Sequence, residues 1–290
     1  MNNTFNIKRF GWIFRKDFQE NWKRYALHFI TMFGIMAGGF TIVTYNTCSK
    51  IHTWNMHGIE HNSLHILEKD LLITASFLFL IFGVIIASTL MEPMKSKTLR
   101  ITYLTNPSSN FEKIFSRWLI VTVGYVIAFF IAFWLADAVR VVICSIKYSE
   151  LDIAFLDLKM LIAPKIGAED IFQYVFPYRY LFFFCIGIYT LLQSLFILGA
   201  NFWEKVSFVK TFSAGVIVSL LFLLVCHWAI KLFYGNYDSF GDMLSSFEMH
   251  ERFSVNEIFS FMACVLIFFA LVNWTIAFFR FRESEIIKRL

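Results

Sequence analysis

Apolar residues gather along the chain into blocks about 20 positions long, at 25–45, 71–91, 118–138, 180–200, 211–230 and 258–279, with polar stretches between them. At about 1.5 Å of rise per residue, a helix of that length crosses a hydrocarbon core of roughly 30 Å. The blocks are too long and too continuously apolar for the in/out alternation of an outer-membrane strand, so the pattern predicts six transmembrane helices. Ahead of the first block, Phe10, Ile13, Phe14, Phe18 and Trp22 recur at intervals of three and four, while Lys8, Arg9, Arg15, Lys16 and Lys23 fill much of the rest. This predicts an amphipathic helix in the membrane interface, with rings in the acyl boundary and cations at the headgroups. Such an arm is either a topology anchor or an elbow that passes movement into the first span.

Composition agrees with the pattern. Hydrophobic residues make up 58% of the 290 and charged residues 16%, where a soluble domain has roughly 45–50% and about 25%. A soluble domain, a disordered chain, a coiled coil and a small disulfide-stapled module are all excluded. Of the 26 Lys and Arg, 17 fall in the arm, in 92–117, in 204–210 and in the tail; the other three connections hold nine against 14 acids. By the positive-inside rule, both termini face the cytoplasm. The expected architecture is all-α: an arm over 1–24 and a six-span domain over 25–290, with a cytoplasmic hairpin at 92–117 and outer loops at 46–70, 139–179 and 231–257. The net charge of +5 follows from this asymmetry and implies no nucleic-acid partner. The first span is expected to act as a signal anchor, with no cleaved leader. The five cysteines include no CxxC, so they read as isolated membrane thiols, with a Cys48 to Cys144 disulfide as the alternative.

Residues 92–117 are the most structured stretch outside the spans. Pro93 is expected to kink the end of the second helix, and Asn106-Pro107 to force a turn. Ser109 and Glu112 fit the S-x-x-E capping box, so a new helix starts near Asn110 and runs on into the third span. In the first span, Gly34 and Gly38 form a GxxxG pair that lets another helix approach closely.

This hairpin, YLTNPSSNFEKIFSRWL, resembles the segment between spans two and three of type-2 ATP-binding-cassette exporter permeases, in particular compact bacterial forms with a Leu-x-x-Pro-Ser-x-x-x-Glu-Lys pattern. The positions that match are Leu104, Pro107, Ser108, Glu112 and Lys113, with Arg117 as the basic residue before the next span. The resemblance implies that these six residues couple to a separate ATPase subunit. It also implies that the chain works as a homodimer or paired permease in the bacterial inner membrane, and that the last outer connection dips back over a pathway. No G-x-x-x-x-G-K-[ST] is present, so ATP would be used by a partner and this chain is expected to bind no cofactor for it.

Other polar groups carry less. His57, His61 and His65 are spaced to share one helix face that could bind Zn or Cu, though a solvated or headgroup-facing amphipathic segment is the better reading. Asp137 and Arg140, three apart at the end of the third span, either line a pathway or pair and snorkel. Gln193 is the deepest strongly polar side chain of the spans and the first choice for a cavity-facing residue; His28 and Asn273 are weaker ones. No Ser/His, paired-acid or Glu/His set shares one depth, so an enzyme is not expected. The chain therefore reads as a permease subunit coupled to an ATPase; the alternative is a non-transporting scaffold or sensor subunit in the bilayer.

Overall fold

The computed structural model describes residues 5–56, 64–94, 97–105, 108–148, 153–162, 174–176, 178–203, 206–234 and 255–287. The helices are α1 (Ile7–Met56), α2 (Leu64–Ala87), α3 (Lys97–Leu104), α4 (Asn110–Leu119), α5 (Tyr125–Lys147), α6 (Arg179–Phe202), α7 (Ser207–Tyr234) and α8 (Val255–Ile287). No strand occurs among the described residues. Six helical stretches are long and apolar enough to cross a bilayer, and each contains one of the six blocks of the sequence or most of it. This is the architecture of a multi-pass membrane protein.

The arm is helical and does not break where the first apolar block begins: α1 is one helix of 50 residues. Its first half leans on α4 and its second half on α5. The rings of Phe10 and Phe115 lie 5.5 Å apart, and those of Phe40 and Phe133 5.7 Å. Both contacts follow the same chain direction, so α1 and α5 run parallel. Met32, Met36 and Phe40 of α1, Leu71 and Leu72 of α2, and Phe129 and Phe133 of α5 make the larger of two cores. Gly34 and Gly38 face away from it, and a Cβ on either would meet no atom within 4 Å. The close approach that the GxxxG pair permits is thus not made by any described part of the chain.

A second parallel pair joins α6 and α8. The Tyr180 and Phe259 rings are 5.3 Å apart, and Asn273 Nδ2 donates to Ser194 Oγ at 3.0 Å. Between them a Cβ on Gly187 would come within 3.3 Å of the Ala263 backbone. Ala263, Ala270 and Ala277 are buried at seven-residue intervals, the period of a left-handed helix pair. Lipid tails give helices no hydrophobic reason to associate, so small side chains that bring backbones together supply the dispersion contact. By contrast α7 is held near its start, where Ser207 Oγ donates to the Ser88 carbonyl at 2.9 Å, Phe208 packs on Phe196 and Thr211 fills the space above Gly199. From Phe212 to Val225 its described side chains are mostly exposed.

The hairpin forms, with one displacement. α2 ends at Ala87, a turn and a half before Pro93, which sits in a 3-10 turn over Glu92–Met94. The Ser88 and Thr89 hydroxyls donate to the Ile85 and Ile86 carbonyls at 2.6 and 2.7 Å, and Pro93 has no amide to return to Thr89, so the ladder is already loosened there. After α3, the chain enters α4 through the expected capping box: Ser109 Oγ accepts from the Glu112 amide at 3.2 Å, and the Ser109 amide donates to Glu112 Oε2 at 3.1 Å. Ser109→Ala is expected to cost about 1 kcal/mol, measured by chemical unfolding in detergent; an unchanged midpoint would show that the cap contributes nothing. Between α4 and α5 lies a π turn, Ile120–Gly124, where the Thr122 hydroxyl donates to the Trp118 carbonyl. The wide turn advances the phase of α5, and Tyr125, just beyond it, donates from its hydroxyl to the Phe79 carbonyl of α2 at 2.6 Å.

Candidate functional site

Two constructions stand out, one at each end of the bundle. The first is an apolar cavity of about 330 Å³, within the roughly 300–1,000 Å³ range of small-molecule sites. α2 forms its floor from Leu72 to Leu80, and α5 and α6 form its sides through Phe129, Phe133, Phe182 and Ile186. Both sides pack on α2, but α5 and α6 share no extended contact with each other among the described residues. At the inner end an aromatic knot closes the space. Phe79 lies 5.0 Å from Phe129 and 4.7 Å from Tyr189, ring to ring. Gly83 allows the approach, because a Cβ there would fall 2.6 Å from the Tyr189 ring.

The roof of the cavity comes from the connection between α5 and α6. Leu158, Leu161 and Phe176 line it, and the Val175 and Phe176 amides donate to the Met160 and Leu161 carbonyls at 3.1 and 2.9 Å. Asp137 and Arg140 hold this roof down. Arg140 Nε donates to Asp137 Oδ1 at 2.6 Å, its Nη2 donates to the Ala154 carbonyl at 2.7 Å, and the Leu156 amide donates to Asp137 Oδ2 at 2.9 Å. The two residues are 0% and 1% exposed. They pair, as the helical spacing predicts, but they do not snorkel: the chain folds back over them, and the carboxylate and guanidinium exchange water for each other and for backbone groups.

At the other end, ion pairs lock the arm to the hairpin. Glu112 is fully buried and takes Arg9 Nε at 2.6 Å, Arg9 Nη2 at 2.8 Å and the Asn6 amide at 2.7 Å, besides closing its own capping box. One carboxylate thus sits at the N-termini of both α1 and α4, where the helix dipoles favour it. About a turn and a half on, Arg117 pairs with Asp17 and donates to the Leu90 carbonyl at 3.1 Å. That carbonyl belongs to the unravelled end of α2, so a single guanidinium joins α1, α2 and α4. Arg24 and Glu92 add a further bridge at 3.0 Å.

Of the residues matched by the resemblance, Glu112, Lys113 and Arg117 are therefore buried. Lys113 lies by the Tyr103 ring, whose hydroxyl donates to the Lys113 carbonyl at 3.1 Å. The Ser108 hydroxyl is buried with no hydrogen-bond partner. Pro107 and the side chain of Leu104 lie outside the described residues. Gln193 is buried in the α6 packing face with its Nε2 unbonded, and it is not in the cavity wall. His57 and His61, with the side chain of His65, lie outside the described residues, as does most of the last connection at 235–254; among the described residues no group of three potential metal ligands forms. Cys48 and Cys144 are buried free thiols.

The sequence reading missed Asp17 and the cavity. Asp17 had a signal: with Phe10 and Ile13 it falls on one helical stripe, and an acid on an apolar face calls for a buried cation. The cavity had none, because its lining comes from four segments whose apolar residues look like any lipid-facing ones. No family model, no curated protein and no solved structure aligns with this chain.

Proposed function

We propose that the chain is the permease subunit of an ATP-binding-cassette exporter in the bacterial inner membrane, with its termini cytoplasmic and its energy supplied by a separate ATPase. The observation that carries this reading is the locked junction of the arm, the broken end of α2 and α4. A force on the hairpin reaches α1 through Arg9–Glu112 and Asp17–Arg117 and reaches α5 through the continuous Asn110–Lys147 rod. Because Glu112, Lys113 and Arg117 are buried, they act by holding this helix; the surface for a partner is the exposed Leu99 and Ile101 of α3 and Phe111 of α4. The open face of Gly34 and Gly38 on α1 is compatible with a second copy in a dimer.

The test is purification from the native host in mild detergent with mass spectrometry of what accompanies the protein. The wild type is expected to bring down an ATPase, and Leu99→Glu combined with Ile101→Glu is expected to lose it while unfolding at the wild-type midpoint. Folded wild type without any ATPase would overturn the permease reading. The chain would then be a non-transporting scaffold or sensor subunit, a reading that the apolar cavity also accommodates.

A further inference from the structure

We infer that the cavity between α5 and α6 binds one acyl chain of a bilayer phospholipid. This goes beyond the permease reading and holds whether or not an ATPase binds. Its lining offers almost nothing to a polar ligand. The Ser76 hydroxyl is already committed to the Leu72 carbonyl at 2.8 Å, and the Tyr189 hydroxyl, buried against Gly83 at the inner end, is the one lining hydroxyl without a hydrogen-bond partner. The remaining heteroatom is the Cys185 sulfur. An ion, a nucleotide or a peptide backbone would lose its hydration here and gain at most one hydrogen bond, from the Tyr189 hydroxyl, in return, which leaves hydrocarbon as the occupant.

Shape narrows the hydrocarbon to a chain. The floor runs for nine residues of one transmembrane helix, from Leu72 to Leu80, or roughly 12 Å along its axis. The space is thus elongated in the direction in which lipid chains lie. Its water-facing end is shut by the roof that Asp137 and Arg140 clasp, and its deep end by Phe79 and Tyr189. The side is open where α5 and α6 diverge, with Phe130 and Ile186 on the rim at 45% and 37% exposure. A chain therefore enters sideways from the bilayer.

The experiment places the full chain in phospholipid nanodiscs containing a small fraction of phospholipid with a diazirine midway along one acyl chain, followed by irradiation and peptide mapping. A parallel sample carries the diazirine on a free fatty acid. Phospholipid labelling of the 72–80 and 182–189 peptides is expected to exceed labelling of 216–225 in α7, an ordinary lipid-facing surface, severalfold. Ser76→Phe and Cys185→Phe, which fill the space from different helices, are each expected to remove that excess and leave α7 unchanged; either one that folds suffices. Equal labelling of the cavity and α7, persistence of the excess in a folded filled variant, or labelling by the free fatty acid alone would overturn the assignment.

Discussion

Arg117→Ala is expected to destabilise the protein by about 3–5 kcal/mol, the usual loss when one member of a buried ion pair is removed. The substitution strands the Asp17 carboxylate inside the bundle with only Asn21 Nδ2 at 3.2 Å and Tyr25 Oη at 3.4 Å. It also takes the donor from the Leu90 carbonyl at the open end of α2. Chemical unfolding in mild detergent reads the loss. Replacing Asp17 and Arg117 together by leucine is expected to recover much of it, since two charges need not then be buried; the shortfall, about 1–3 kcal/mol, measures the orphaned Leu90 carbonyl. Arg117→Lys should fall between, because an ammonium on a flexible stem cannot reproduce the planar fork that reaches carboxylate and carbonyl at once. A cost below about 1 kcal/mol for Arg117→Ala would mean that the pair is solvated and that the three-helix junction is not held by it.

Asp137→Ala is expected to cost a similar amount, about 3–5 kcal/mol, and to have a local consequence that the first substitution lacks. Arg140 would be left as a buried cation with one carbonyl, and the Leu156 amide would lose its acceptor. The segment 153–162 should lift off, so limited proteolysis of the variant should cut there while the wild type resists. Asp137→Asn retains an oxygen for the Leu156 amide but no charge for Arg140, and should sit between the two in both readouts. Wild-type stability and wild-type resistance in Asp137→Ala would sink the clasp and, with it, the closed roof of the cavity.

These two pairs also mark the boundary of what could be read in advance. The six spans were legible because a helix crossing lipid must satisfy its own backbone and present carbon all round, which leaves a signal in every residue of the block. The start of α4 was legible because Ser109 and Glu112 act on each other within one turn. The pairing of Asp137 with Arg140 followed from their spacing, whereas their burial did not, since it depends on a loop folding back nineteen residues later to bring the Leu156 amide. Pro93 predicts the break in α2, but Ser88 and Thr89 start it earlier by competing for carbonyls, and Arg117 from another helix donates to one of those left over.

The sequence by itself determined the helical class, the six crossings, the charge asymmetry and the capped hairpin, all consequences of the solvent and of contacts within a turn or two. Tertiary structure alone decided that the arm continues into the first span and rests on α4, and that α1 with α5 and α6 with α8 run as parallel pairs. It also decided that Gly34 and Gly38 face outward while Gly187 meets Ala263, and that four apolar segments leave an open groove between them. The reason is physical: in lipid, hydrophobicity does not choose between a neighbouring helix and an acyl chain, so partners are selected by the fit of small side chains and by a few buried charges whose mates lie far away in the chain.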